Sequence, residues 1–206
     1  MYIIQYLFIL ILFSDLVSNE IFGGQHIKHQ ELQTDKEENS LSILSWNIKM
    51  HPPPYGWFYN SIDKAENIIK TLKESSKYDV ILFQEAFSYK IRNKIYNSLK
   101  DLYPHQIDIK DETNFYKMNS GLWVISSIPI TLIDNINFTE LRHNDWLSSK
   151  GAYLYSVIKN QQEFYIINTH MQADYRIKYS DIRTSQYTEI QQKLILPNEN
   201  SEIPLI

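Results

Sequence analysis

The sequence predicts an α/β domain in which two mixed β-sheets pack face to face, with helices on the outside. Strand-type and helix-type segments alternate between residues 41 and 103, and five strand-type segments then follow one another between residues 105 and 168. Alternation favours parallel pairing and a run of strands favours antiparallel pairing, so mixed sheets are expected. The length of 206 residues and the hydrophobic content of 43% suffice for one domain with its own core.

The N-terminus predicts secretion. Residues 2–17 are almost continuously apolar but fall short of the roughly 20 apolar residues that a membrane-spanning helix needs. The run has the length of a signal-peptide core and Leu16-Val17-Ser18 fits a cleavage site, so residues 1–18 are predicted to be a signal peptide. No Lys or Arg precedes the run, which leaves an uncleaved membrane anchor or a buried segment as the alternative. Residues 19–40 are polar without apolar periodicity and predict a flexible leader before a domain at 41–206.

The first half of the domain predicts two strand–helix pairs. The apolar run at 41–46 leads into a loop at 51–57, where consecutive prolines exclude regular structure. Ser61 then caps a helix whose apolar residues recur at helical spacing. A buried-type strand at 80–83 follows, and a second helix ends before Pro104.

The second half predicts successive strands with short connections, at residues 105–109, 121–126, 130–138, 152–158 and 163–168. A final helix is predicted over residues 180–195, with Ile182, Ile190 and Leu194 on one face. Asn137-Phe138-Thr139 is an acceptor sequence for N-glycosylation, which fits a secreted protein of a eukaryote.

Composition narrows the classes of function. The formal net charge of -4 argues against nucleic-acid binding, which needs a basic face to meet phosphates. The chain has no cysteine, so disulfides and thiolate chemistry are excluded. The 15 Tyr and 4 Trp make an aromatic-rich chain, as is typical of wet pockets and interfaces, although half-buried sheet positions also use them.

Three strand-type runs deliver polar side chains at their carboxyl ends. Asn47, Glu85 and His170 each follow such a run, and α/β sheets carry their chemistry at this rim. Taken singly, Asn47 fits a turn, Glu85 fits a salt bridge to a lysine, and His170 fits a structural hydrogen bond. Together, a carboxylate and an amide oxygen beside an imidazole favour Mg²⁺-assisted hydrolysis of a phosphoester.

The motifs around these residues resemble the endonuclease/exonuclease/phosphatase superfamily, and within it most closely the neutral, magnesium-dependent sphingomyelinases. The matching segments come in the family's order: Ser45-Trp46-Asn47, Phe83-Gln84-Glu85, Asn119-Ser120-Gly121-Leu122, Ile128-Pro129-Ile130, Ser149-Lys150-Gly151, Thr169-His170-Met171-Gln172-Ala173, and Ile182-Arg183-Thr184 with Gln186 and Glu189-Ile190. The last three are the specific part, whereas the Asn and Glu motifs are common to the superfamily. The resemblance covers residues 41–206.

The resemblance implies a four-layer sandwich of two sheets flanked by helices, and hydrolysis of sphingomyelin to ceramide and phosphocholine. It also implies that Glu85 holds Mg²⁺, that Asn47 orients phosphate or supports the metal's surroundings, and that His170 contacts the phosphoryl group. Asn168 and Lys150 are expected to bind substrate, although a lysine at the start of a strand is usually a solvated end.

Two family motifs are absent from the sequence: a strand ending in Gly-Asp-x-Asn, and a later Ser-Asp-His that carries the general base. The chain ends at Ile206, where that strand would start, so the domain is expected to lack the last strands of the fold. No other histidine is an obvious substitute for the base, among His26, His29, His51, His105 and His143. A general base contributes roughly 10²–10⁴-fold in rate, so this polypeptide, expressed alone, is expected to be inactive or nearly so.

Three functional hypotheses therefore stand. The first is a phosphodiesterase that acts on sphingomyelin in a bilayer. The aromatic residues of the loop at 55–59 would then make transient contact with the membrane; the alternative is that they pack over the sheet edge. The second is a nuclease of the same superfamily, which the acidic charge disfavours. The third is a non-catalytic secreted remnant that binds lipid or protein, with weak metal affinity or none.

Overall fold

Two β-sheets face each other in the computed structural model of the chain, which describes residues 9–12, 40–51, 61–75, 78–109, 117–175, 178–199 and 201–206. The strands in chain order are β1 (Ile9–Leu12), β2 (Ile43–Asn47), β3 (Val80–Gln84), β4 (His105–Ile107), β5 (Trp123–Ser126), β6 (Ile130–Asn137), β7 (Gly151–Lys159) and β8 (Gln162–Thr169). The helices are α1 (Ser61–Ser75), α2 (Tyr89–Leu99) and α3 (Ser180–Ile190).

The larger sheet is mixed and has the strand order β1-β2-β3-β5-β4. Strands β1, β2 and β3 are parallel, whereas β5 is antiparallel to both of its neighbours. Helix α1 connects β2 to β3, and such a crossover is what brings consecutive strands into parallel pairing. As a result, the carboxyl ends of β2 and β3 lie at the same rim.

Strand β3 is apolar from Val80 to Phe83 because both faces of its sheet are covered there. Ile81 and Phe83 pack in the cluster formed with α1 and α2. Val80 and Leu82 point the other way and pack against Tyr155 and its neighbours in the second sheet. A continuous apolar run, rather than an alternating one, is what burial on both faces requires.

The smaller sheet has the order β6-β7-β8, and its named strands are antiparallel rather than mixed as predicted. Its outer face is covered by the last helix, where Leu154 packs with Ile190 and Leu194. The predicted helix at 180–195 is α-helical as far as Ile190 and continues as a π-helical turn over Gln191–Ile195. The layers therefore run helix, sheet, sheet, helix, and the predicted four-layer fold class is confirmed.

Residues 204–206 lie alongside β8 in the parallel direction. The amides of Tyr165 and Ile206 donate to the carbonyls of Pro204 and Tyr165, each at 2.8 Å. The sequence predicts the start of a further strand here, and the pairing places it next to β8.

The N-terminal predictions fall largely outside the described residues. Within the predicted signal peptide at 1–18, the described residues 9–12 form the edge strand β1. The other residues of that segment, and the predicted leader apart from Ser40, lie outside the described ranges. Both assignments therefore stay predictions. Among the described residues, no helix has the length and apolarity needed to cross a membrane.

A partly buried ion pair joins the two sheets at the rim opposite the carboxyl ends of β2 and β3. Lys159, at the end of β7, lies 2.7 Å from the carboxylate of Asp79 and donates to the carbonyl of Ser40 at 2.6 Å. The carboxylate of Asp79 also accepts the amide of Ser42 at 2.7 Å. These contacts fix the relative position of the sheets and hence the alignment of the opposite rim.

Substituting Gly151 by Ala is expected to destabilise the fold. A Cβ at this position would lie 1.9 Å from the carbonyl oxygen of Ile136 on the paired strand β6, so the backbone must shift. We expect the free energy of unfolding to fall by about 1–3 kcal/mol, as in other overpacked sites, measured by urea denaturation. The exposed Thr131→Ala on β6 is the matched control, and an equally small loss for both variants would contradict the prediction.

Candidate active site

The carboxyl ends of β2, β3 and β8 bring Asn47, Glu85 and His170 together. In the parallel register Asn47 lies opposite Gln84. Its side chain is therefore next to Glu85, the residue that follows Gln84. Its Nδ2 donates to Glu85 Oε1 at 2.8 Å. His170 comes from the other sheet and places its Nε2 3.7 Å from the same oxygen. The three groups therefore share one small polar space.

The backbone at Glu85 is in the left-handed region, with a φ of 55°. This conformation is uncommon for a residue with a side chain, and such strain concentrates at functional sites. Gly121, with a φ of 71°, packs directly against it, and a Cβ there would lie 3.0 Å from Glu85 Cα and 2.9 Å from the ring of Phe87. The Asn-Ser-Gly motif thus provides the room that the Glu85 turn needs.

Asn47 holds the carboxylate in place by using both ends of its amide. Its Oδ1 accepts the backbone amide of Lys49 at 3.1 Å, which directs its Nδ2 towards Glu85. The amide oxygen therefore contacts the protein backbone rather than the space next to the carboxylate. With this geometry Asn47 can orient a carboxylate that binds a metal, but its own amide oxygen is not placed to bind the metal.

His170 is buried and neutral. Its Nδ1 lies 3.3 Å from the carbonyl oxygen of Ser120, which can only accept, so Nδ1 carries the proton and Nε2 is left with its lone pair. Burial, reinforced by the positive charge of Lys150, lowers the pKa of His170 to about 4, against the opposing effect of Glu85. At neutral pH an unprotonated nitrogen therefore faces the carboxylate.

His51 also reaches this space, and sequence reasoning missed it. Its Nε2 lies 3.7 Å from Glu85 Oε2, on the side of the carboxylate away from His170. The ring of Phe87 lies close to both imidazoles, with its centroid 5.9 Å from that of His51 and 6.1 Å from that of His170. The sequence assigns His51 to the Pro-rich loop, although its position four residues after Asn47 was a signal that it lies near the rim.

Asn168 is almost fully buried and connects the two sheets. Its Oδ1 accepts from Gln84 Nε2 at 2.7 Å, and its Nδ2 donates to the carbonyl of Phe83 at 3.1 Å. Gln84 in turn donates to Ser45 Oγ at 3.1 Å. Both ends of the Asn168 amide thus help to position β3 directly before Glu85, and the predicted contact with substrate stays a prediction.

Lys150 is not the solvated strand end that was the alternative prediction. It is 4% exposed, and its Nζ lies 2.9 Å from both Asp145 Oδ2 and the carbonyl oxygen of Met171. Burial lowers the pKa of Lys150, and the attraction of Asp145 opposes that shift. The amine therefore makes contacts within the protein, behind the loop that carries His170, and the predicted contact with substrate stays a prediction.

Asp145 is a second residue that sequence reasoning missed. It lies in a 3₁₀ helix, His143–Leu147, and accepts the amide of Ala173 and the hydroxyl of Tyr175, both at 2.7 Å. With Lys150 these contacts fasten the segment after β8. No motif marks Asp145 in the sequence, because its importance comes from residues on other segments.

Residues of the two long motifs in the second half, including Gln186 and Glu189, make hydrogen bonds within the protein. Gln186 accepts the amide of Gln172 at 2.9 Å and donates to the carbonyl of Glu140 at the same distance. Glu189 accepts the amide of Thr139 at 3.1 Å. These bonds tie α3 to the loop that follows His170 and to the segment after β6, so Gln186 and Glu189 help to position the histidine.

The residues at the rim fit a single Mg²⁺ held through one carboxylate. Mg²⁺ keeps several waters and binds through one or two carboxylates together with substrate phosphate. Glu85 supplies one carboxylate whose side chain is 18% exposed, with Oε1 fixed by Asn47. Within the described ranges, no group of three or more His, Asp or Glu side chains is arranged to hold a metal ion. The described residues therefore offer one carboxylate, that of Glu85, to such an ion.

The chain is related in sequence to sphingomyelinases. The sphingomyelinase C of Listeria ivanovii is 28% identical over 180 residues, which cover 78% of this chain and 53% of that protein. A sphingomyelinase C of Leptospira interrogans is 30% identical over 158 residues, covering 66% of this chain and 27% of that protein. The chain thus spans about half of the first relative and about a quarter of the second. No protein-family model matches the chain.

Solved structures show the same fold. Sphingomyelinase C from Streptomyces griseocarneus gives a TM-score of 0.69 at 19% identity, over 80% of this chain and 62% of that one. A beta toxin of Staphylococcus aureus with bound magnesium ions gives 0.66 at 22% identity, over 78% and 60%. TDP2 of D. rerio, complexed with a single-strand DNA product, gives 0.54 at 19% identity, over 75% and 54%. The predicted resemblance and fold are confirmed.

Removing the charge of Lys150 is expected to destabilise the domain strongly. Lys150→Met leaves the carboxylate of Asp145 buried without its cation, and breaking such a pair costs about 3–5 kcal/mol. Lys94→Met is the control, because its 3.0 Å pair with Glu66 is exposed and should cost less than about 1 kcal/mol. Urea denaturation measures both, and a similar small loss for the two variants would show that the buried pair is not a stabilising link.

Acid is expected to destabilise the fold through His170. The unfolded histidine has a pKa of 6.5 and the folded one a pKa of about 4, so between these values the unfolded chain takes up a proton that the folded chain excludes. The free energy of unfolding should therefore fall as the pH is lowered through this window, and His170→Gln should show a shallower fall. Urea unfolding at several pH values in magnesium-free buffer tests this. Equal slopes for the two proteins would refute it.

Proposed function

We propose that this chain, a relative of the sphingomyelinases C, is part of a metal-dependent phosphodiesterase that hydrolyses sphingomyelin to ceramide and phosphocholine. The observation that supports it best is the carboxylate of Glu85, which Asn47 holds at 2.8 Å and which lies 3.7 Å from the imidazole of His170. These residues lie within the motifs that the sequence shares with the sphingomyelinases. The specificity for sphingomyelin rests on the relatives named above.

In this proposal Glu85 holds Mg²⁺, which when bound supplies positive charge to a phosphoryl oxygen. Asn47 fixes the orientation of the Glu85 carboxylate through Oε1 and leaves Oε2 on the side of His51. Because a pre-oriented ligand loses little freedom on binding, this hydrogen bond favours metal binding without contacting the metal.

His170 responds to the charge of the substrate. Its neutral Nε2 is an acceptor in the unliganded site, where it can take a hydrogen bond from water or a hydroxyl. An anionic phosphodiester next to Nε2 favours the protonated form and so raises the pKa of the imidazole, which then becomes a donor to a phosphoryl oxygen. Lys150 and Asn168 act behind these groups by fixing the strand ends that carry them.

Secretion and membrane contact are part of the proposal. A secreted phosphodiesterase with a lipid substrate must approach a bilayer, and the aromatic-rich loop between β2 and α1 follows Asn47 directly. Residues 52–60 of that loop lie outside the described residues. The contribution of Tyr55, Trp57, Phe58 and Tyr59 to lipid contact therefore stays a prediction from the sequence.

A nuclease activity is the second candidate, since TDP2 shares the fold at a lower TM-score of 0.54. The net charge of -4 disfavours it, because a phosphate backbone requires a basic surface. A non-catalytic domain that binds lipid or protein is the third. Such a domain would show little or no affinity for Mg²⁺.

Mg²⁺ binding is the first measurement. We expect added Mg²⁺ to change the tryptophan emission, since Trp46 adjoins Asn47, and Glu85→Gln to weaken the apparent affinity at least about tenfold, because the carboxylate charge is lost. Glu74→Gln on α1, whose side chain is 67% exposed, is the matched control and should titrate like the unaltered protein. An unchanged titration in Glu85→Gln would exclude Glu85 as the ligand.

Turnover separates the candidate functions. Any activity of the chain should release phosphocholine from sphingomyelin vesicles in a Mg²⁺-dependent manner and leave supercoiled DNA intact. DNA nicking without phosphocholine release would instead favour the nuclease. Measurable Mg²⁺-dependent sphingomyelin hydrolysis would overturn the expectation from the sequence that this polypeptide, expressed alone, is inactive or nearly so.

A further inference from the structure

Arg92 is a buried arginine that binds the turn following Glu85. It lies in the first turn of α2 and is 5% exposed. Its Nη1 donates to the carbonyl of Ala86 at 2.7 Å and to the carbonyl of Phe87 at 3.1 Å. Its Nε donates to Asp108 Oδ1 at 2.7 Å. One guanidinium thus joins two consecutive carbonyls of the turn to a carboxylate on another segment.

The same turn is held from the opposite side by backbone contacts. The amide of Ala86 donates to the carbonyl of Gly121 at 3.0 Å, and the amide of Met50 donates to the carbonyl of Glu85 at 2.9 Å. Asn119 also donates to the carbonyl of Phe87 at 3.0 Å. Because Glu85 has a φ of 55°, its conformation persists only where the surroundings determine it from several directions.

We propose that Arg92 is a positioning residue for the Glu85 carboxylate. By fixing the carbonyls of Ala86 and Phe87, the guanidinium holds the left-handed turn that directs the carboxylate to Asn47 and places the Phe87 ring close to both imidazoles. The metal-binding consequence rests on the function proposed above. The positioning itself rests on the contacts of the turn alone.

An arginine suits this role better than other residues. Its planar fork offers several donors in fixed directions, so one side chain can satisfy two carbonyls and a carboxylate together, which a lysine ammonium does less well. Burying a charge is costly, and an apolar residue of similar volume often stabilises a fold as well or better. The ring of Tyr89, 5.8 Å from the guanidinium carbon, lies over the charge.

The test compares three variants by amide hydrogen exchange in the full chain without metal. Arg92→Lys keeps the charge but loses the planar guanidinium. Asp108→Asn keeps an acceptor for Arg92 Nε and leaves the two contacts of Arg92 with backbone carbonyls in place. Lys94→Met is an exposed control on the same helix. We expect Arg92→Lys to lower the protection of the Ala86 and Met50 amides about tenfold or more, while core amides of β5 change little. The other two variants should leave the Ala86 and Met50 amides within about twofold.

A uniform change across all slow amides in Arg92→Lys, or no change at Ala86 and Met50, would overturn the proposal, since a merely stabilising arginine would act on the whole fold. Should Arg92→Lys not fold, Arg92→Gln, which retains one donor group, takes its place under the same criteria.

A Mg²⁺ titration follows. If the unaltered protein binds Mg²⁺, Arg92→Lys should weaken binding about tenfold. If it does not, the proposed function fails, while the exchange result still decides the role of Arg92.

Discussion

The hydrogen bond between Asn47 and Glu85 is the interaction on which the rest of the site depends. It requires parallel pairing of β2 and β3 in a register that sets Asn47 opposite Gln84, and a left-handed backbone at Glu85. A shift of register by one residue would turn every side chain of the strand to the other face. The side-chain hydrogen bonds of Gln84 to Ser45 on β2 and to Asn168 on β8 oppose such a shift, so the contacts that hold the register also hold the site geometry.

Buried polar groups surround this interaction and determine its position. Asn168 connects β8 to β3, and Lys150 with Asp145 fastens the segment after His170. Each group is costly to bury and is compensated by specific partners, so a missing partner leaves an unsatisfied donor, acceptor or charge. The site is therefore rigid because its supporting contacts are interdependent. The electrostatic result is a neutral imidazole facing a carboxylate, an arrangement that favours a positive charge or a donor between them.

The sequence predicted that Asn47, Glu85 and His170 lie together, but it did not predict the contacts that support them. Asn47, Glu85 and His170 follow apolar runs, and that pattern is visible in one dimension. Lys150 and Asn168 were expected to contact substrate, yet both are buried and paired, because burial depends on segments far away in the chain. His51 and Asp145 were missed for the same reason. Neither belongs to a periodic pattern or a motif, and each gains its position from a loop or a 3₁₀ turn.

By itself the sequence determined the four-layer arrangement, the rim at which the polar residues lie and the similarity to the sphingomyelinases, because hydrophobic periodicity and short motifs are local properties. Only the tertiary structure decided which polar side chains face the shared space and which are used in holding it together. The physical reason is that hydrogen-bond partners, desolvation and charge are set by neighbours in space. A lysine or an amide next to a strand end has the same sequence signature whether it is solvated, paired or directed at a ligand.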